Sequence, residues 1–278
     1  MSEFLKPQKP WIFMGVGNVL FNEDPAYSQI YLMIYRTIQK RDESITFERL
    51  LNERDELIKD GHILPIKVLI EQALPENEKI NLKRELKAVL EDNWLKYNPL
   101  NDDTIDFLKE LEKHFYLGII ANGPSFLRAI MQDVGIKKYF KVIVISEEIG
   151  IPKPNNGIFQ EAINLAKEYC ESKNEKFDKS NVVMVGDSLE LDILPAKKNG
   201  MTGIQIIWDL DKKYKKSELL NDEIFVKYLN HLKQHSSRRR EPANEEEKPA
   251  FIVSSTAELK NLLLSDEFSK AISQVKLV

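Results

Sequence analysis

Apolar residues change their spacing along this chain in a way that divides it into segments. Residues 11–16 and 19–21 form a short apolar run rich in strand-forming side chains and interrupted by Gly15 and Gly17, which predicts a buried strand ending in a glycine turn. From Tyr27 to about Asn98 the spacing becomes helical, in YSQIYLMIYRTI, SITFERLLNERDELI and KRELKAVLEDNWLKY, and predicts an all-helical insert. Pro99 and the polar run Asn101-Asp102-Asp103-Thr104 then close one helix and open another, DTIDFLKELEKHF. Beyond it, the apolar runs YLGIIA, KVIVIS, NVVMVGD and GIQIIW alternate with helical stretches, the pattern of a parallel sheet with helices on both faces.

Residues 209–248 leave this rhythm. DLDKKYKKSELL and DEIFVKYLNHLKQH read as helical, whereas 236–248, with three arginines followed by EPANEEE, reads as an exposed, self-neutralising loop. FIVSS and TAELKNLLL resume the strand–helix order and complete the core.

With 278 residues, 42% hydrophobic and 30% charged, the chain is long enough for one large domain and a smaller inserted one. A net charge of −4 gives no global attraction to nucleic acid. A single cysteine, Cys170, excludes an intrachain disulfide and a multi-cysteine zinc site, and fits a reducing compartment. The first ten residues lack a secretory apolar segment and no run has the length of a membrane span, so the expected location is the cytoplasm.

In open parallel sheets, ligands sit beyond the carboxyl ends of the strands, and four segments place polar or glycine residues there. Asp187 and Asp192 in GDSLELD follow the strand VVMVG closely enough to face one ion, and hard carboxylate oxygens suit Mg²⁺; the plainer alternative is a helix cap and a solvated first-turn acid. Lys153 stands between Pro152 and Pro154 in a strand-to-helix connection. Asn122, Gly123 and Ser125 follow LGIIA and can offer polar groups to an anion, or form an ordinary turn and cap. Gly15-Val16-Gly17-Asn18 follows the first strand. A dinucleotide-binding reading of GVGNVL fails because Leu20 stands where the third glycine belongs.

Taken in order, WIFMGVGNVLF, LGIIANGPS, the lysine of GIPKPNNGIF and VVMVGDSLELDILPAKKNG resemble the haloacid dehalogenase (HAD) superfamily, over residues 10–25 and 100–208 closely and near 250–264 loosely. The resemblance implies an α/β fold with a HAD-like Rossmannoid parallel sheet in residues 1–25 and 99–278, a helical cap at 26–98, and a charged insertion at 209–248. It implies a phosphatase-like site in which an aspartate attacks phosphorus, Mg²⁺ shields charge, Lys153 steadies phosphate, and Asp187 and Asp192 anchor the metal. Asn18, Asn122 and Gly123 would complete the phosphate cradle.

The chain departs from that pattern in three places. Ala121 replaces the hydroxyl residue common there, Gly17 stands at the general-acid position, and Gly15 stands at the nucleophile position, where no carboxylate remains to attack or to bind metal. Glu23 and Asp24 lie past the turn and read as cap-entry acids. The expectation is therefore a binder of a phosphorylated or anionic small molecule, with weakened Mg²⁺ binding and little phosphatase turnover. The alternatives are an active Mg²⁺-dependent phosphoric-monoester hydrolase and a structural or regulatory module meeting a protein partner through the cap or 209–248. In the insert, Tyr31, Tyr35, Phe47 and Trp94 read as core. His62 and His114 form no metal-like group, and the pair His231 and His235 reads as a solvated helix face.

Overall fold

Four consecutive apolar residues, Trp11–Met14, are completely buried and form strand β1, as a run without polar alternation requires of a strand covered on both faces. The computed structural model describes residues 6–7, 9–235 and 242–274. Among these, β1 lies inside a six-stranded parallel sheet with β2 (Tyr116–Ala121), β3 (Phe140–Ile145), β4 (Val182–Gly186), β5 (Thr202–Ile206) and β6 (Phe251–Val253). The strand order is β3-β2-β1-β4-β5-β6. Trp11 is in register with Tyr116 and Val182, and Met14 with Ile119 and Val185. Because side chains alternate along a strand, Trp11, Phe13, Val182 and Met184 share one core cluster with Ile158, Phe159 and Ala162 of helix Asn156–Ser172. This is the parallel sheet with helices that the alternation of apolar runs predicts.

The chain divides into two compact units. The first holds the sheet and takes the described residues of Met1–Phe21, Asn101–Trp208 and Pro242–Val278; the second takes the described residues of Asn22–Leu100 and Asp209–Glu241. The second unit is helical. Thr46 caps helix Phe47–Lys59 by accepting from the Arg49 N–H, and Pro25 in the first turn suits the start of helix Asp24–Gln39, where an amide hydrogen has no helical partner. Tyr31, Ile34, Phe47, Leu50, Leu69 and Leu82 form its core.

Residues 209–235, expected within the α/β core, lie in the helical unit. The cause is the apolar face of helix Glu223–His235, whose Tyr228 and Leu232 pack into the cluster around Tyr31 and Leu50. The same face corrects the reading of His231, which is buried and meets Asp55 Oδ2 at 2.7 Å through Nε2 instead of facing solvent. The His235 side chain and residues 236–241 of the expected loop lie outside the described residues; most of 242–248 is exposed.

Candidate functional site

The strand order reverses between β1 and β4, the place where open α/β sheets hold ligands. The loops leaving β1 and β4 carry Gly15–Asn18 and Asp187–Asp192. Gly15 continues the ladder, donating its N–H to the Val185 carbonyl at 2.9 Å. The chain then tightens, the Leu20 and Phe21 amides both donating to the Val16 carbonyl. Asn18 sits in the left-handed region with φ 51°, a conformation that asparagine tolerates better than most residues. Its side chain donates to Asp187 Oδ2 at 3.2 Å, and its carbonyl accepts from Trp208 Nε1 at 2.6 Å. The Gln205 amide holds the Asp187 carbonyl at 3.1 Å.

After β4 the Ser188 carbonyl accepts from both Asp192 N and Ile193 N, opening a wider turn than an α-helix, and the Ser188 hydroxyl caps Leu191 N. This turn packs Asp192 directly over Gly186, where an added Cβ would stand 2.2 Å from the Asp192 Cβ, so only glycine fits there. Asp192 is buried and meets Lys153 Nζ through Oδ1 at 2.6 Å, while its Oδ2 accepts from Ser188 N at 3.1 Å. Lys153 is buried as well, its side chain 7% exposed.

The other two expected anion groups are engaged elsewhere. Asn122 accepts from Lys153 N at 2.7 Å and donates to the Lys153 carbonyl at 3.0 Å, so its side chain holds the lysine's backbone. The Gly123 N–H donates to Ser146 Oγ at 3.1 Å. The structure thus brings Gly15, Asn18, Lys153, Asp187 and Asp192 together and assigns Asn122 to support. Gly17 contributes only backbone, bridging to Phe21. Asp24 offers no replacement carboxylate, since Lys213 and Tyr214 hold its Oδ2 within the helical unit. Reading the sequence missed Ser146, Ser188, Gln205 and Trp208. Only Ser188, a capping residue type beside Asp187, carried a local signal.

At Gly15 the backbone is not left-handed, and an added Cβ would meet Val19 Cγ2 at 3.6 Å, Asp192 Oδ1 at 3.7 Å and the Val185 carbonyl at 3.8 Å, all ordinary contacts. Neither conformation nor crowding requires glycine at this position.

With glycine at position 15, the candidate metal donors of this site are the two acids Asp187 and Asp192. Magnesium takes an octahedron of hard oxygens, yet both Asp192 oxygens already have donors and Asp187 accepts from Asn18. Among the described residues, no group of three or more His, Cys, Asp or Glu side chains is placed to hold a metal.

The model of the haloacid dehalogenase-like hydrolase family matches residues 12–200, and the chain belongs to that family. It is 37% identical over 98 residues to the pyrimidine 5'-nucleotidase YjjG of Escherichia coli K12, covering 35% of this chain and 40% of that protein. Over 123 residues it is 36% identical to the glyceraldehyde 3-phosphate phosphatase of Methanopyrus kandleri, covering 44% of this chain and 48% of that one. The chain thus spans less than half the length of these two relatives. The fold is shared with the HAD-hydrolase YfnB of Bacillus subtilis, solved bound to magnesium, at a TM-score of 0.56 and 17% identity over 93% of this chain and 100% of that one. No helix among the described residues is long and apolar enough to cross a membrane.

Proposed function

We propose that this HAD-family chain is a binder of a phosphorylated or otherwise anionic small molecule, with little or no phosphatase turnover. The observation that carries the reading is Gly15: the position accepts a Cβ without conflict, yet it carries no side chain. Losing the nucleophile of a cooperating catalytic set leaves only electrostatic and binding contributions, about 10⁶-fold below the intact site in a well-studied hydrolase. Lys153, held in place by Asn122 and Asp192, supplies positive charge for the anion. The helical unit is the candidate for choosing the ligand, as the cap of the resemblance would.

The test compares the unmodified chain with Gly15→Asp on an aryl phosphate and a panel of phosphorylated metabolites in Mg²⁺. Turnover in the substituted chain alone supports the reading, and turnover in the unmodified chain refutes it. The latter result would establish a second reading, a Mg²⁺-dependent phosphoric-monoester hydrolase. It is favoured by the retention of Lys153, Asp187 and Asp192 around one position and by the magnesium bound in YfnB.

A further inference from the structure

One end of strand β5 sends donors to both loops that carry the candidate site. Gln205, buried near the end of the strand, donates through its amide to the Asp187 carbonyl at 3.1 Å, in the loop after β4. Just past the strand, the Trp208 indole N–H donates to the Asn18 carbonyl at 2.6 Å, in the loop after β1. The two loops meet through the Asn18 side chain, which donates to Asp187 Oδ2 at 3.2 Å. With the chain between 205 and 208, these bonds close a ring through Gln205, Asp187, Asn18 and Trp208. A buried amide or indole N–H needs an acceptor, and here both acceptors belong to the two residues joined by the carboxylate bond. Asn18 also stands at φ 51°, a conformation that few side chains hold without support from their surroundings.

We infer that Trp208 and Gln205 are positioning residues: they fix the backbones of Asn18 and Asp187 so that the Asn18 amide holds the Asp187 carboxylate in one orientation. The inference rests on the reading above, that this strand end is a binding site with a lost nucleophile, and names residues that set its geometry. Both donors act on backbone carbonyls, and Asn18 carries the effect to the carboxylate. A shift of about 1 Å in a group of a reacting site can cost on the order of 100-fold in rate. Bonds on the far side of Asn18 therefore govern what Asp187 can do. If the two donors served only to satisfy buried polar groups, a change at the Asp187 carboxylate would leave Trp208 undisturbed.

The test first reads the ring in the full chain without a ligand. Trp11, Trp94 and Trp208 are the tryptophans of the sequence, so each gives one indole N–H signal in a proton–nitrogen correlation spectrum. Trp208→Phe, which keeps a ring and removes the donor, identifies the Trp208 signal; sequential assignment does so if that variant fails to fold. Asp187→Asn, which keeps the shape and removes the charge, is expected to move the Trp208 signal and leave those of Trp11 and Trp94 in place. Gln205→Met is expected to do the same. In the Gly15→Asp chain, assayed as above, adding Trp208→Phe should lower kcat by about tenfold or more with KM within about twofold. A Trp208 signal indifferent to both Asp187→Asn and Gln205→Met overturns the inference and leaves the binding function standing; so does an unchanged kcat. The spectrum decides by itself if Gly15→Asp does not turn over. Turnover in the unmodified chain overturns the binding reading alone, since the spectral result does not depend on it.

Discussion

Each unit of the molecule buries an ion cluster, and the two are finished differently. In the helical unit Arg54 donates to Asp55 Oδ1 through Nε at 2.8 Å and also through Nη2, while His231 takes the other Asp55 oxygen. The guanidinium lies against the rings of Tyr31 and Tyr228 at 5.3 and 5.9 Å from their centroids. That cluster joins one acid to two bases and two aromatic rings, with Tyr31 and Tyr228 part of the helical core, so it serves packing. In the α/β unit Lys153 and Asp192 are equally buried, but among the described residues the lysine side chain meets one acceptor, Asp192 Oδ1, close to the loop that carries Gly15. Burial and pairing alone thus do not separate a structural ion pair from a binding group; the place of the pair in the fold does, beyond the carboxyl ends of the strands in one case and inside a helical core in the other.

The largest expected effect comes from opening the closed cluster. Arg54→Met leaves Asp55 buried without its main counter-charge and is expected to cost about 3–5 kcal/mol, read as a shift in the urea midpoint. The same truncation at Lys153 should cost less, about 1–3 kcal/mol, because Asp192 keeps the Ser188 N–H at its other oxygen. Equal losses in the two variants would erase the distinction.

Two glycines sharpen the comparison further. Gly186→Ala drives a methyl group into Asp192 and is expected to destabilise by about 1–3 kcal/mol through overpacking, displacing the carboxylate from Lys153. A nearby structural probe, such as the chemical shift of the Lys153 ammonium, should move with it.

Acid should weaken the closed cluster. Burial pushes the Asp55 carboxyl up, but the His231 hydrogen bond and the charge of Arg54 outweigh it and hold the group below its usual value. A carboxyl depressed in the folded state contributes stability that is complete above its unfolded value of about 3.9 and is lost as pH falls through the folded value. Unfolding midpoints measured between about pH 7 and pH 3 should therefore drop below about pH 4 in the unmodified chain, with a shallower acid limb in Asp55→Asn.

The smallest effect is expected at Gly15→Ala. With an ordinary backbone conformation and only normal contacts, the substitution should stabilise by about 0.4–1 kcal/mol through reduced freedom of the unfolded chain. A clear loss of stability there would mean that packing, and not chemistry, accounts for the glycine.

The sheet was legible because its strands are short apolar runs spaced by helical stretches, and local patterning records that directly. Gly15, Lys153, Asp187 and Asp192 were legible as a set because each follows a strand in a familiar order. What the sequence hid was long-range. Nothing local to Asn122 indicates that both ends of its amide meet the Lys153 backbone, and nothing near Trp208 points to the Asn18 carbonyl. The amphipathic face of helix Glu223–His235 was visible, but its destination was not, since an apolar face does not state which core it joins. His231 was misplaced for that reason.

The helical unit is written in two pieces, residues 22–100 and 209–235. During synthesis the first piece emerges with Tyr31, Arg54 and Asp55 in place but without Tyr228 and His231, which complete the aromatic pair and the acid's second contact. At about 5–20 residues per second that wait is on the order of ten seconds. A nascent chain therefore carries an unfinished core with a charged pair inside it, and a helper that shields exposed apolar surface on the ribosome would have its longest task on this segment.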